Sequence, residues 1–310
     1  MKQKKPLKTV PEYRFAALPG WAVNGRVEDL ETCAFAAGAS LAILHGMVMD
    51  QTDRVPVDLL RNRLALRSSE LCLGIEGRSD SIGDIRDAVN LARAGDALGP
   101  AGDMFMRWRS GAAIGLRQKD WLAQLAACLP QALGDALPEW VDKACELGSP
   151  VAQAATLLRL VLDAFPREEA SALICADAIL ARGFGWPKPV PLMTLHLKRS
   201  ALRDLTPESC HRAIGLAAQT AVRMAEDLTR RAAELQKVAP KLRSKGSDYA
   251  VALFLREDAV SPSTMLSPVI KGTKIQMTDR SARRLCDRLV TLGVVRELTG
   301  RTSFRLYGLP

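Results

Sequence analysis

Apolar positions recur along most of this chain in steps of three and four, the period of an amphipathic helix. Residues 28–49 form the first long run, apolar nearly all round in its second half, and predict a central core helix. Residues 57–73 predict a second helix, with arginines at 61, 63 and 67. Shorter periodic runs at 104–116, 120–133, 138–147, 150–165 and 168–181 are each begun or ended by proline or glycine, the usual helix punctuation. Between them, residues 79–102 collect Asp80, Asp84, Asp87 and Asp96 with Gly95, Gly99 and Gly102. Their spacing fits neither a calcium loop nor a phosphate loop, so a solvated connection between helices is expected.

Three alternating prolines in residues 183–191 forbid helix and predict a stiff strap with Phe184 and Trp186 buried, ahead of a shorter helix over 192–201. Thr206-Pro207-Glu208 then opens the longest helix, to about residue 239. Its seam of Cys210, Ile214, Ala217, Ala221, Met224, Leu228 and Leu235 is rich in alanine. That suits packing on a partner helix of the same body better than a coiled-coil dimer, with a homodimer left open. Pro240 and Gly246 mark a hinge. Beyond it, 249–257 predicts a helix with Ala250, Leu253 and Phe254 inward, and Ser261-Pro262 opens a short second one that Pro268 and Gly272 interrupt.

The last thirty residues are the most informative. Thr278 is a good N-cap with Asp279 in the first turn. Ala282, Leu285, Cys286 and Leu289 form one apolar stripe, while Arg280, Arg284, Asp287 and Thr291 lie opposite and Arg283 and Arg288 flank them. Gly293 ends the helix. Two β-prone runs, 294–298 and 304–307, are joined by five residues of hairpin-loop chemistry. The expected fold is therefore mainly α: a basic flexible arm over 1–14, a multi-helix body over 15–240, and a winged helix-turn-helix with a small β-hairpin wing over 247–310.

Charge adds a direction to this picture. The formal net charge is +9, and residues 241–310 hold 13 Lys and Arg against 6 Asp and Glu. Residues 1–14 hold 5 against 1, leaving 25 against 27 in the body. A basic terminus on a mildly acidic body fits a partner that is a polyanion. On that reading Arg280, Arg283, Arg284 and Arg288 contact the groove or backbone of double-stranded DNA and Ser281 reaches a base edge or phosphate. Arg301 at the hairpin tip, with Arg296 and Arg305 on its strands, meets neighbouring phosphates. Two alternatives stand beside it: a scaffold whose terminal module docks on a partner protein, and an enzyme of unassigned chemistry in the helical body. Trp108 between Arg107 and Arg109 is expected in the core, its arginines in solvent.

Seven scattered cysteines without a C-x-x-C pair read as small buried hydrophobes, and three distant histidines give no ligand spacing. No metal or cofactor is expected, any small-molecule effector is undefined, and no nucleophile or dinucleotide motif is seen. The start of the chain lacks a signal peptide's pattern, and residues 32–49 read as a buried helix and not a membrane span, so a cytoplasmic protein is expected.

The run Leu289-Val290-Thr291-Leu292-Gly293-Val294-Val295-Arg296-Glu297-Leu298-Thr299-Gly300-Arg301, with Phe304-Arg305-Leu306-Tyr307, resembles the winged helix that ends many Fic-family proteins. The Fic catalytic motif is absent, since His45 is followed by Gly46-Met47-Val48-Met49-Asp50, so the resemblance implies no adenylyl transfer. The whole chain, especially 177–191 and from Ala239 onward, resembles an uncharacterised proteobacterial family of unknown function. That resemblance implies the bacterial cytosol and no particular chemistry.

Overall fold

The computed structural model describes residues 17–24, 29–93, 95–242, 246–301 and 304–310, without the side chains of Trp21 and Asn24. The arm over 1–14, the first residue of the predicted 28–49 helix and two residues of the hairpin loop, Thr302 and Ser303, lie outside the described residues. The chain is mainly α, about 66% helical, with one small antiparallel hairpin among the described residues.

The first helices are α1 (Gly20–Asn24), α2 (Leu30–Val48), α3 (Val57–Ile75), α4 (Ile82–Asn90), α5 (Gly99–Ala113) and α6 (Trp121–Ala126). They continue with α7 (Gln131–Cys145), α8 (Pro150–Ala164), α9 (Glu169–Gly183), α10 (Met193–His196), α11 (Arg199–Arg203) and α12 (Pro207–Val238). α12 lies along α2, as its small-residue seam suggested. At Gly215 an added Cβ would stand 3.1 Å from the Ala37 backbone, a closeness that favours glycine.

The helix enclosed on all sides is α9, buried from Ala170 through Ala181. The sequence pattern points instead to residues 28–49 for that role. α2 is apolar enough to pass the length and hydropathy test for a membrane span, at 1.3 over its window. Yet Leu30 and Phe35 face outward, because its alanines and glycine make it apolar by composition without enclosing it. A second difference lies in the acidic stretch, where 79–102 holds α4 and the start of α5 in place of a loop. Ser81 and Asp84 form a capping box that starts α4, and Ile85 is its one buried residue. The predicted helix over 192–201 is two short turns, α10 and α11.

The strap over 183–191 buries Trp186 as expected, while Phe184 is only partly buried. Trp186 is 1% exposed and donates from Nε1 to His45 Nδ1 at 3.0 Å, with Phe184 tilted against it. Trp108 is likewise in the core, and its neighbours pair: Arg107 with Glu168 at 3.6 Å, and Arg109 with Glu257. Asp177, inside α9, receives the backbone N–H groups of Leu192 and Met193 on one oxygen, each at 3.0 Å, and so starts α10 from across the core.

The C-terminal region follows a 3-10 turn at Ala239–Lys241 and comprises α13 (Ser247–Phe254), a π-helical turn at Pro262–Leu266, α14 (Asp279–Thr291), β1 (Arg296–Glu297) and β2 (Tyr307–Gly308). β1 and β2 pair antiparallel with Glu297 opposite Tyr307, and Val260 exchanges both backbone hydrogen bonds with Tyr307 on the other edge. The short helix expected after Ser261 is that π-helical turn, closed by Ser261 accepting from Thr264 N, and Val269 bridges Gln276 before α14 begins. Gly308 fits because the Asp258 carbonyl oxygen would lie 2.4 Å from any Cβ placed there.

Candidate nucleic-acid interface

α14 starts at the predicted cap and turns the predicted stripe inward. Thr278 Oγ1 accepts from Ser281 N at 3.3 Å, and Ala282, Leu285, Cys286 and Leu289 are all buried. The Ser281 hydroxyl accepts from the Thr278 hydroxyl at 3.0 Å, so this side chain is occupied by the cap. Burial under the stripe also pushes the Cys286 thiol up to about 12, which makes it a packing group without thiolate character. Gly293, at φ 72, ends the helix and turns the chain into β1.

With the stripe inward, the arginines fall into three groups. Arg280, Arg284 and Arg288 lie one helical turn apart on the exposed side, and their guanidinium groups have no ion pair among the described residues. Beside them a cleft of about 750 Å³ opens between α14 and the 3-10 turn that follows α12, lined by Arg284 and Arg288 on one wall and Lys241 on the other. Lys241 therefore extends the basic face. Spacing within the last thirty residues could not have found it, since it belongs to the linker.

The second group borders the hairpin. Arg283 pairs with Asp279 at 2.9 Å. With Asp287, Phe304, Arg305 and Tyr307 it lines a smaller cleft of about 260 Å³. The Tyr307 hydroxyl donates to Asp287 Oδ1 at 3.4 Å, and Arg305 Nε donates to the Arg301 carbonyl at 3.1 Å. Phe304 stands 67% exposed at a φ of 54, an unusual conformation for a bulky side chain.

The third group turns toward the body. Arg301, expected at a DNA phosphate, pairs with Asp87 of α4 at 2.6 Å. Arg296 is exposed, and its charge is felt at Arg63 of α3: burial lowers the Arg63 pKa most, Asp258 opposes that, and Arg296 adds to the lowering. The contact is wider than these two residues. Arg86 Nε donates to Asp258 Oδ2 at 2.7 Å, Arg63 Nε lies 3.2 Å from Asp258 Oδ1 without hydrogen-bond alignment, and Arg63 also donates to the Leu309 carbonyl. Asn62 donates to the Arg256 carbonyl and Arg109 pairs with Glu257. Body cations thus meet acids and carbonyls of the C-terminal region. Two of the six acids in 241–310, Glu257 and Asp258, are neutralised by the body in this way, and the outward arginines stay unbalanced.

A family model described as protein of unknown function (DUF1403) matches residues 8–309. The chain belongs to that family. The match runs through both the helical body and the hairpin, so in this DUF1403 protein the C-terminal region is part of the family's own extent and not an appended module. Comparison with the curated proteins gives no match. Among the described residues, no group of three His, Cys, Asp or Glu side chains is placed to hold a metal ion.

Proposed function

We propose that this DUF1403 protein binds double-stranded DNA through α14, as a winged helix-turn-helix in which the hairpin is the wing, and acts as a bacterial cytosolic regulator or replicon-associated factor. The observation that carries the reading is the row of Arg280, Arg284 and Arg288 on the open side of α14, without partner carboxylates among the described residues and with Lys241 beside it. Guanidinium groups so placed match phosphate and guanine edges, and each phosphate contact releases counterions. The π-helical turn and bridged loop that replace a regular second helix favour docking by α14 and the linker over a standard two-helix clamp. Arg301 contributes only if its pair with Asp87 opens. Ser281 contributes only if it leaves the cap.

The test is a mobility shift of full-length protein on mixed genomic duplexes at about 50 mM salt, beside Arg284→Glu. Retardation by the intact protein that Arg284→Glu weakens at least about tenfold supports the reading. Failure to retard any duplex at that salt overturns it. A second reading, docking on a partner protein, draws on Phe304, whose exposed ring beside the hairpin cleft would suit an apolar anchor.

A further inference from the structure

Where α3, α5 and the strap meet the C-terminal region there is a cleft of about 230 Å³, lined by Asp58, Arg61, Arg109, Lys188, Arg256 and Glu257. Four of these side chains are cationic and two anionic, so the lining carries a surplus of positive charge. Asp58 is shared, 3.2 Å from Arg61 Nη1 and 3.3 Å from Lys188 Nζ. Glu257 is shared between Arg109 and Lys271. Arg256 has no ion pair among the described residues and its carbonyl is held by Asn62. Arg61 is the least satisfied of all: its side chain is 7% exposed, yet Nε and Nη2 have no acceptor among the described residues. Burying the donors of a charged group without acceptors is a large cost, and a single pair with a half-exposed carboxylate does not offset it. Burial accordingly pulls the Arg61 pKa down, with Asp58 opposing it.

We infer that this cleft is a binding site for a small multivalent oxyanion, of the size of inorganic phosphate or a short organic phosphate. Such a group places negative charge beside Arg61, Lys188 and Arg256 and so neutralises the surplus positive charge of the lining. It also bridges α3 and the strap to Arg256, so occupancy strengthens the seating of the C-terminal region on the body. A cleft of this volume is smaller than the range of about 300–1,000 Å³ typical of drug-sized ligands, which excludes nucleotides lying wholly within it. The site stands apart from the α14 face and does not depend on DNA binding.

The experiment is thermal unfolding and isothermal titration of the full-length protein with inorganic phosphate, against chloride at equal ionic strength. In wild type, phosphate at about a hundred times its dissociation constant raises the melting temperature by a few degrees. Lys188 is 40% exposed in its side chain, so Lys188→Gln folds normally and weakens phosphate severalfold. Arg61→Met, which removes the unmet donors and keeps an unbranched apolar chain, abolishes the rise. Arg284→Glu keeps it in full, which separates this cleft from phosphate held on α14. No rise in wild type, an undiminished rise in Lys188→Gln, or loss of the rise in Arg284→Glu overturns the inference.

Discussion

The core of the body and the junction beneath the C-terminal region each bury an aspartate, and they treat it in opposite ways. Asp177, 2% exposed in α9, has no cation beside it among the described residues. Two backbone N–H groups meet one of its oxygens, the other has no partner among the described residues, and burial pushes its pKa up to about 8 against the pull of those N–H groups. Asp258, 7% exposed, stands between Arg63 and Arg86. The core is thus held by apolar packing around a carboxyl group whose burial favours the protonated form. The junction is held by charge. It also sorts charge, because acids of the C-terminal region are drawn inward to body arginines while Arg280, Arg284 and Arg288 are left outside.

The largest effect should come from removing the junction's anion. Asp258→Ala leaves two mostly buried guanidinium groups facing each other, and breaking a buried pair from one side typically costs about 3–5 kcal/mol. Denaturant unfolding should show a loss of that order, and protease cleavage should become faster after residue 240. A change below about 1 kcal/mol would mean that the junction is held by something other than these pairs.

Next comes the contrast in pH dependence. The folded-state pKa of Asp177 lies above its unfolded value of about 4, so the fold favours the protonated form. Its contribution is fully present below about pH 4 and is lost as pH rises through about 8, with a slope of up to about 1.4 kcal/mol per pH unit. Asp177→Asn keeps a carbonyl oxygen for the N–H groups of Leu192 and Met193 and removes the proton. Its stability should therefore be flatter between about pH 5 and 8 and should exceed that of wild type at the upper end. Parallel curves for the two proteins would show that Asp177 is ionised in the fold.

These two aspartates also mark how far the sequence could be read. Periodicity located α12, α14 and the strap because each has a repeating apolar face or a run of prolines that admits few structures. It passed over α4, which buries only Ile85 and has no stripe to detect. It favoured α2 over α9 as the enclosed helix, since composition does not say which of two apolar helices is surrounded. The arginine row was legible because one helix carries it. The fates of Arg301 and Arg296 were not, because Asp87 and Arg63 approach them only through the fold, and Arg86 and Asp258 are 172 residues apart. No local spacing encodes such a meeting.

A smaller change in stability, but a decisive one for function, is expected on the outward face. Arg284→Glu alters an exposed side chain and should leave unfolding within about 0.5 kcal/mol of wild type. Duplex affinity should nevertheless fall at least about tenfold. For Arg284→Ala the slope of log affinity against log salt should decrease by about 0.9 if one phosphate contact is lost. Equal weakening by Arg63→Ala, with the fold intact, would place the contact at the junction and end the distinction between the two faces.

The finest division of inward from outward runs through Arg301. Its pair with Asp87 is half exposed on the arginine side, and pairs of that kind are worth about 1 kcal/mol or less. Asp87→Asn should therefore hardly alter stability, yet it releases a guanidinium at the hairpin tip, the position from which a wing reaches phosphate. If the pair holds the hairpin back, Asp87→Asn should bind duplex severalfold more tightly, with a steeper salt dependence, and Arg301→Gln in the same background should cancel the gain. If affinity is unchanged in Asp87→Asn, the hairpin tip belongs to the junction and α14 with Lys241 makes up the whole contact surface.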